Sequence, residues 1–395
     1  MKNINRNSST FISVYAPFLN FGAGIVVDLY APSLPIIAKQ FMVTETVVQY
    51  TIVSSIIGYS IGQLFFGILS DWKGRKLSLI VGMVIFTLSS MLSFYSTSIE
   101  QLILLRCVQG FSTGVCQVIG RAIISDELSD EKFNKSVVSL SISFALGLIA
   151  GPYIGATIQN HLGWRYSFLL YSAYGLIALF LSIFLKESIN IKDRLPPSKA
   201  LYNIATILKN NKSQTSIIQL GCCFFGFTFW SQTGAIYLLN NYHGNIQLFA
   251  KTTLATGLSY LIGSILNRTI LSKMSLEKKI NTGIILYLIG SVTLVLSVYC
   301  KGLLIVLIGL NIINLSQGIS FPNVLARAIK AFKNMAGISA SLQGCGMLLI
   351  GFMGLWVSSQ FNYLNGLELS IPYFAFFGLM TLLQIRNSAS KKDTP

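Results

Sequence analysis

The ten residues GILSDWKGRK, Gly67 to Lys76, decide the fold class of this chain. They place one aspartate and the basic residues Lys73, Arg75 and Lys76 between two long apolar runs. A charged turn this short cannot cross a bilayer, because charged side chains are costly in hydrocarbon. The stretch therefore predicts two neighbouring membrane helices that are joined on one side of the membrane.

The composition agrees with a membrane protein. Of the 395 residues, 53% are hydrophobic and only 11% are charged, whereas soluble proteins carry about 25% charged residues. Apolar runs of roughly 20 residues are long enough to span the hydrocarbon core, and they must be helical because lipid cannot satisfy free backbone amides. The sequence therefore predicts an all-α membrane protein with twelve transmembrane helices. The runs lie at residues 11–34, 46–70, 77–97, 101–124, 136–159, 166–185, 214–239, 247–267, 280–299, 303–325, 336–359 and 371–385.

The longest polar segment, residues 186–213, divides these runs into two sets of six. It contains a Pro-Pro pair and six basic residues. We expect residues 1–185 and residues 214–395 to form two six-helix bundles, joined by a linker in the cytoplasm. Residues 201–210 within the linker are expected to form a short helix at the membrane interface.

The net charge of +16 is distributed asymmetrically. If both ends lie on one side, most Lys and Arg residues fall at the ends or in the loops of that side. This asymmetry predicts that both termini are cytoplasmic, and we expect a lipid bilayer rather than a nucleic acid as the partner. The six cysteines have no metal-binding spacing, so no metal or cofactor is expected.

Of the thirteen acidic residues, only Asp28 falls clearly inside a predicted span. A carboxylate in that position is costly unless it is protonated or paired, so intramembrane acids are functional by default. One interpretation is that Asp28 couples transport to protons or other cations. The alternative is that Asp28 only caps the helix break ahead of Pro32 and Pro35.

The spacing Gly67-x-x-x-Asp71-x-x-Gly74-Arg75, after the second apolar run, resembles the loop 2–3 signature of the major facilitator superfamily. The resemblance implies two six-helix bundles that rock around a site near the bilayer midplane. It also implies that the motif acts as a gate, in which Asp71 binds cations or a helix N-terminus. Arg121, near the end of the fourth span, either joins this network or anchors its helix at the interface.

Two segments resemble a narrower group, the drug:proton antiporters of the bicyclomycin-resistance type. DLYAPSLP at 28–35 matches the end of their first helix, and Arg106, Gln109 and Gly110 match their R-x-x-Q-G motif. The resemblance implies that Arg106 takes part in proton transfer with Asp28. The alternative for Arg106 is a structural salt bridge.

The fifth span carries Gly147, Gly151, Pro152 and Gly155. This order resembles the antiporter motif G-x-x-x-G-P-x-x-G-G, with Ala156 in place of the last glycine, and implies export. Small residues four apart let helix backbones approach closely, and the proline allows a bend.

Polar and aromatic side chains inside the spans are candidates for the lining of a substrate cavity. Aromatic rings suit flat lipophilic or cationic compounds, but each residue is equally compatible with ordinary packing. The candidates are Tyr30, Tyr59, Gln63, Gln109, Trp230, Gln232, Tyr237, Asn314 and Gln343.

The resemblance implies a monomeric transporter in a bacterial inner membrane that exports small lipophilic or drug-like molecules by proton-coupled alternating access. It implies no enzymatic activity. One alternative is a proton-coupled importer or a metabolite or siderophore carrier on the same fold. Another is a membrane sensor or scaffold that transports nothing.

Overall fold

The structure is a computed structural model, and it describes residues 8–128, 130–189, 194–242, 246–300, 302–332, 335–358 and 366–389. Its regular structure is helical, and no β-strand occurs in those ranges. The helices are α1 (Ser9–Asp28), α2 (Leu34–Phe41), α3 (Glu45–Lys73), α4 (Arg75–Phe94), α5 (Ile99–Glu127), α6 (Asp130–His161), α7 (Arg165–Phe184), α8 (Pro197–Lys209), α9 (Asn211–Tyr242), α10 (Ile246–Arg268), α11 (Leu276–Cys300), α12 (Leu303–Lys330), α13 (Ala336–Ser358) and α14 (Gly366–Ala389).

These helices match the predicted apolar runs in order and confirm the all-α membrane fold. Ten stretches of the described residues are long and apolar enough to cross a membrane. α9 and α10 occupy the remaining two predicted positions, and α8 lies in the predicted linker. The first predicted span is interrupted, because α1 ends at Asp28 and a 3-10 turn at Ala31–Ser33 leads into α2.

The chain forms two compact units. The first consists of residues 1–207 and 332–345, and the second of residues 208–331 and 346–395. The first turns of α13 therefore belong with the first unit, as does most of α8.

Apolar packing explains why the start of α13 belongs to the first unit. Buried side chains from α8 and α13 form one cluster, against which side chains at the end of α3 also pack. The buried members are Ala200, Ile207, Ile338 and Leu342, and the partly buried members are Leu64, Ile68, Ile204, Phe332 and Met335.

α3 and α5 pack with their backbones in contact. A Cβ atom added at Gly62 would overlap the carbonyl oxygen of Phe111, and one added at Gly110 would overlap that of Ser55. Residue numbers rise together along the two helices, so they run in the same direction. Polar residues of the two helices, such as Gln63 on α3 and Gln117 on α5, therefore follow the same direction along the bundle.

Candidate functional site

The turn between α3 and α4 is built around Gly74. Its φ of 108° lies in the region that favours glycine. A Cβ atom there would also overlap the carboxylate of Glu187. The turn lets α4 begin at Arg75, directly after α3 ends at Lys73.

Arg75 is the centre of a buried charge network at this turn. Its side chain is only 2% exposed. It forms ion pairs with Asp71 and with Asp126, where Nε donates to Oδ2 at 2.9 Å. It also donates to the Ser70 hydroxyl at 2.8 Å. Two carboxylates therefore surround one guanidinium.

The second oxygen of Asp71 reaches a helix N-terminus. Asp71 Oδ2 accepts a hydrogen bond from the backbone N–H of Ile338 at 2.9 Å, in the first turn of α13. The first N–H groups of a helix lack partners in the helix, and negative charge is favourable there. Gly67 permits this approach, because a Cβ atom there would overlap the Ser341 side chain.

Arg121 lies on α5, on the N-terminal side of Asp126. Its guanidinium donates to Gln117 Oε1 at 2.9 Å and to the carbonyl oxygen of Ala340 at 3.3 Å. Asp71 is not among its hydrogen-bond partners in the described part of the chain. Arg121 contacts the same first turns of α13 that Asp71 caps.

Arg106 lies beside the end of α1. It is fully buried, and it donates to Gln109 Oε1 and to the carbonyl oxygen of Val26, the latter at 3.3 Å. Its guanidinium also lies over the ring of Tyr30, at 4.5 Å from the centroid. Asp28 is the last residue of α1, two positions after Val26, and its side chain lies outside the described residues.

The glycines predicted for the fifth span bring α6 against α1. Cβ atoms added at Gly147 and Gly155 would overlap the carbonyl oxygens of Phe21 and Leu29, respectively. At Gly151 an added Cβ would lie 3.4 Å from the Leu29 backbone nitrogen. Pro152 lies inside α6 without ending it. Larger side chains at positions 147 or 155 would force the two helices apart.

A small pocket of about 10 Å³, with room for about one water molecule, lies between α1, α3 and α5. Its lining is mostly aliphatic, with hydroxyl groups from Ser55, Tyr59 and Thr113. The other lining residues are Ala23, Val26, Val27, Ile52, Ile56 and Gly110.

Of the predicted cavity residues whose side chains the structure describes, Tyr59 lines this pocket and the others do not. Tyr30, Gln63 and Gln109 are buried nearby in the first unit, as is Gln343 on α13. Three more are buried in the second unit: Trp230, Tyr237 and Asn314. Trp230 donates to the Thr252 hydroxyl at 3.2 Å, and Tyr237 packs against the Trp230 ring. Asn314 donates to the Leu310 carbonyl oxygen at 2.9 Å. The Gln232 side chain lies outside the described residues.

The sequence profile described as Major Facilitator Superfamily matches residues 18–383. The chain belongs to this superfamily. It is 25% identical over 371 residues to a bicyclomycin resistance protein homologue of Haemophilus influenzae, covering 90% of this chain and 91% of that protein. It is 26% identical over 378 residues to multidrug resistance protein MdtL of Citrobacter koseri, covering 94% and 95%. The resemblance expected from the motifs is confirmed.

The fold of this facilitator is similar to that of a solved proton:xylose symporter, XylE bound to 6-bromo-6-deoxy-D-glucose. The TM-score is 0.77 at 15% identity, covering 98% of this chain and 96% of the other. At that identity the likeness supports the fold alone. Together with the family match, it makes this chain a multi-pass membrane protein of a transporter family.

Sequence reasoning missed the role of Glu187 in the facilitator's charged turn. Its carboxylate accepts the backbone N–H groups of Arg75 at 2.8 Å and Lys76 at 3.3 Å, and so caps α4. Next to it, the Ser188 hydroxyl donates to Asp126 Oδ2 at 2.9 Å. The available signal was an acid directly after the sixth apolar run, but no spacing rule connects that position with α4.

Sequence reasoning also missed a polar network in the second unit. Arg327 on α12 donates to Glu277 Oε2 at 3.3 Å, to Gln384 Oε1 at 3.1 Å and to Gln219 Oε1. Gln384 in turn donates to Glu277 at 2.9 Å. The signal was an arginine near the end of one apolar run and a glutamate before the preceding one, on the same predicted side of the membrane.

Proposed function

We propose that this protein is a proton-coupled transporter that exports small lipophilic or drug-like molecules by alternating access. The observation that carries the proposal is Arg106, a fully buried cation hydrogen-bonded to α1 two residues before Asp28. Buried charges in membrane helices are costly and mark ion or proton pathways. The bicyclomycin and multidrug resistance proteins that resemble this chain support drug-like substrates and export.

In this mechanism the proton is carried by Asp28. Val26 and Val27 line the pocket, and Asp28 follows them directly. Substrate in the pocket and a proton on Asp28 therefore act on the same end of α1. Arg106 is the buried cation that favours the loss of the proton once the carboxylate meets water.

The network at the α3–α4 turn acts as a gate in the proposed cycle. Asp71 ties the first turn of α13 to the ends of α3 and α4 through the Ile338 N–H group. A hydrogen bond to a charged group contributes about 1.5–3 kcal/mol, so this contact holds one state until substrate and proton shift the balance. Release of α13 opens the pathway on the side of the charged turn.

The distribution of Lys and Arg supports cytoplasmic termini, and therefore a cytoplasmic position for this gate. The bacterial relatives support an inner-membrane location. We propose that the monomer is the functional unit, as the resemblance to major facilitator transporters implies.

The test is transport in proteoliposomes with an imposed pH gradient and a panel of fluorescent lipophilic compounds. We expect protons entering one compartment to drive compounds into the other in the wild type, and Asp28→Asn to abolish this coupling. Glu100→Gln, which neutralises an exposed carboxylate, is the matched control and should leave coupling unchanged.

Three outcomes contradict the proposal. Full proton-coupled export by Asp28→Asn would remove Asp28 from the mechanism. Movement of solute in the same direction as protons would favour the importer. Failure to exchange any solute would favour a sensor or scaffold.

A further inference from the structure

Arg121 is a buried cation that lacks a carboxylate partner among the described residues. Its side chain is 2% exposed, and its hydrogen bonds go to the neutral oxygens of Gln117 and Ala340. Its Nε atom has no partner in the described structure. Arg75, by contrast, lies between two carboxylates. A buried guanidinium is unfavourable without a counter-charge, so the environment of Arg121 favours a bound anion.

Two neutral polar groups beside Arg121 also lack partners. Gln63 on α3 is 0% exposed, and neither atom of its amide forms a hydrogen bond in the described structure. A Cβ atom at Gly344 would overlap Gln63 Oε1 and lie 3.0 Å from an Arg121 guanidinium nitrogen, so both side chains face this glycine. The hydroxyl of Tyr59, one turn earlier on α3, is also without a hydrogen-bond partner in the described structure. Buried polar groups are normally hydrogen-bonded, so three such donors together indicate a ligand site.

The hydrogen-bond donors of Gln63 and Arg121 follow residues that line the pocket between α1, α3 and α5. Tyr59 and Thr113 line the pocket. Gln63 follows Tyr59 by one turn on α3, and Gln117 and Arg121 follow Thr113 on the parallel helix α5. The polar and positively charged groups therefore lie along the two helices beyond the Tyr59 and Thr113 end of the aliphatic pocket.

We infer that Arg121, Gln63 and Tyr59 bind the carboxylate of an amphipathic organic acid, whose apolar part lies against the aliphatic residues of the pocket as α1, α3 and α5 separate to admit it. A guanidinium suits a carboxylate because its planar fork donates two parallel hydrogen bonds. The amide and the hydroxyl supply further donors to the same anion. This inference rests on the proposed function and names the substrate class of that transporter.

The test is the binding of two matched probes, 1-naphthoate and its neutral amide 1-naphthamide, to purified full-length protein in detergent at neutral pH. We expect the wild type to prefer naphthoate. Arg121→Gln should weaken naphthoate binding roughly tenfold to a hundredfold, as expected for the loss of a hydrogen bond to a charged group, and should leave naphthamide binding within about threefold.

Two further variants keep the test informative if Arg121→Gln folds poorly. Arg121→Lys keeps the positive charge but cannot donate two parallel hydrogen bonds, so it should retain a reduced preference for naphthoate. Gln63→Leu removes only a neutral donor and should weaken naphthoate binding by less than Arg121→Gln does. Arg386→Gln, which removes an exposed positive charge, should change nothing.

Equal wild-type affinity for the two probes would overturn the inference. So would binding of neither probe, or an unchanged preference in Arg121→Gln. Proton-driven export of naphthamide without a preference for naphthoate would contradict the inference alone. Binding of naphthoate that depends on Arg121, without proton-driven movement of any probe, would contradict the proposed function alone.

Discussion

Replacing Asp71 by Asn tests the proposed gate directly, because it changes charge and leaves the size of the side chain nearly unchanged. In the structure Asp71 pairs with Arg75 and accepts the N–H of Ile338 at 2.9 Å. The asparagine oxygen can still accept one hydrogen bond, but the charge is lost at both contacts. We expect the first turn of α13 to detach more readily.

The size of the effect follows from these contacts. A hydrogen bond to a charged group contributes about 1.5–3 kcal/mol, against about 0.5–1.5 kcal/mol for a neutral one. Negative charge at a helix N-terminus contributes a further 0.3–1 kcal/mol or so. A net loss of about 2 kcal/mol shifts the opening equilibrium of α13 by roughly thirtyfold.

Cys345 is a native reporter of this opening. It lies on α13 at the end of the segment that packs in the first unit, and it is buried. With the other five cysteines replaced by alanine, the rate at which a maleimide labels Cys345 measures how often this part of α13 is released. We expect Asp71→Asn to accelerate labelling roughly thirtyfold, in proportion to the opening equilibrium.

The matched control is Glu187→Gln, which weakens the cap on α4; among the described residues Glu187 has no hydrogen bond to α13. We expect labelling of Cys345 in this variant to stay close to the parent rate. An unchanged rate in Asp71→Asn would refute the proposed gate. An equal acceleration in both variants would show that general loosening of the turn, rather than the contact with α13, controls exposure.

Three further predictions concern packing and the second unit, and each is measured by thermal unfolding in detergent. Gly147→Val should destabilise the protein by about 1–3 kcal/mol because it overpacks the α1–α6 contact. Gly378→Val is the control, since the space around Gly378 is open, and it should have little effect. Equal losses of stability in the two variants would contradict the close α1–α6 backbone contact. Gly74→Ala should cost about 1–3 kcal/mol because its φ of 108° strains any residue with a Cβ atom, and an unchanged midpoint would contradict that conformation. Arg327→Gln should destabilise more than Arg327→Lys, because it removes the positive charge that pairs with Glu277; the reverse order would contradict a stabilising role for this ion pair.

The apolar runs and the charged turn were sufficient to predict the helices and the superfamily. Length and composition decide which segments can span a bilayer, so the order of the helices followed from the sequence. The glycine of the motif also has a structural reason, because the positive φ of Gly74 between two helices favours glycine.

The partners of the charged groups were less accessible from the sequence. The spacing suggested that Asp71 binds a cation or a helix N-terminus, and in the structure it contacts both, but neither Arg75 nor α13 was identified as the partner beforehand. Asp126 lies in a different helix and pairs with the same arginine. Such contacts depend on the packing of segments far apart in the chain, which hydropathy does not encode.

The packing partners of the first turns of α13 were likewise not predictable from hydropathy. Their sequence reads as part of the eleventh span, so the predicted boundary placed them with residues 214–395. In the structure they pack with α3 and α8 through Ile338 and Leu342. The hydrophobic pattern showed that these residues would be buried but not which helices would cover them.

Proton release from purified protein on addition of a lipophilic compound tests the central claim most directly. The wild type and Asp28→Asn are compared in weakly buffered detergent solution with the same panel of compounds. The account predicts that a bound compound releases protons from the wild type and none from Asp28→Asn. Equal release by both proteins would contradict the assignment of proton coupling to Asp28.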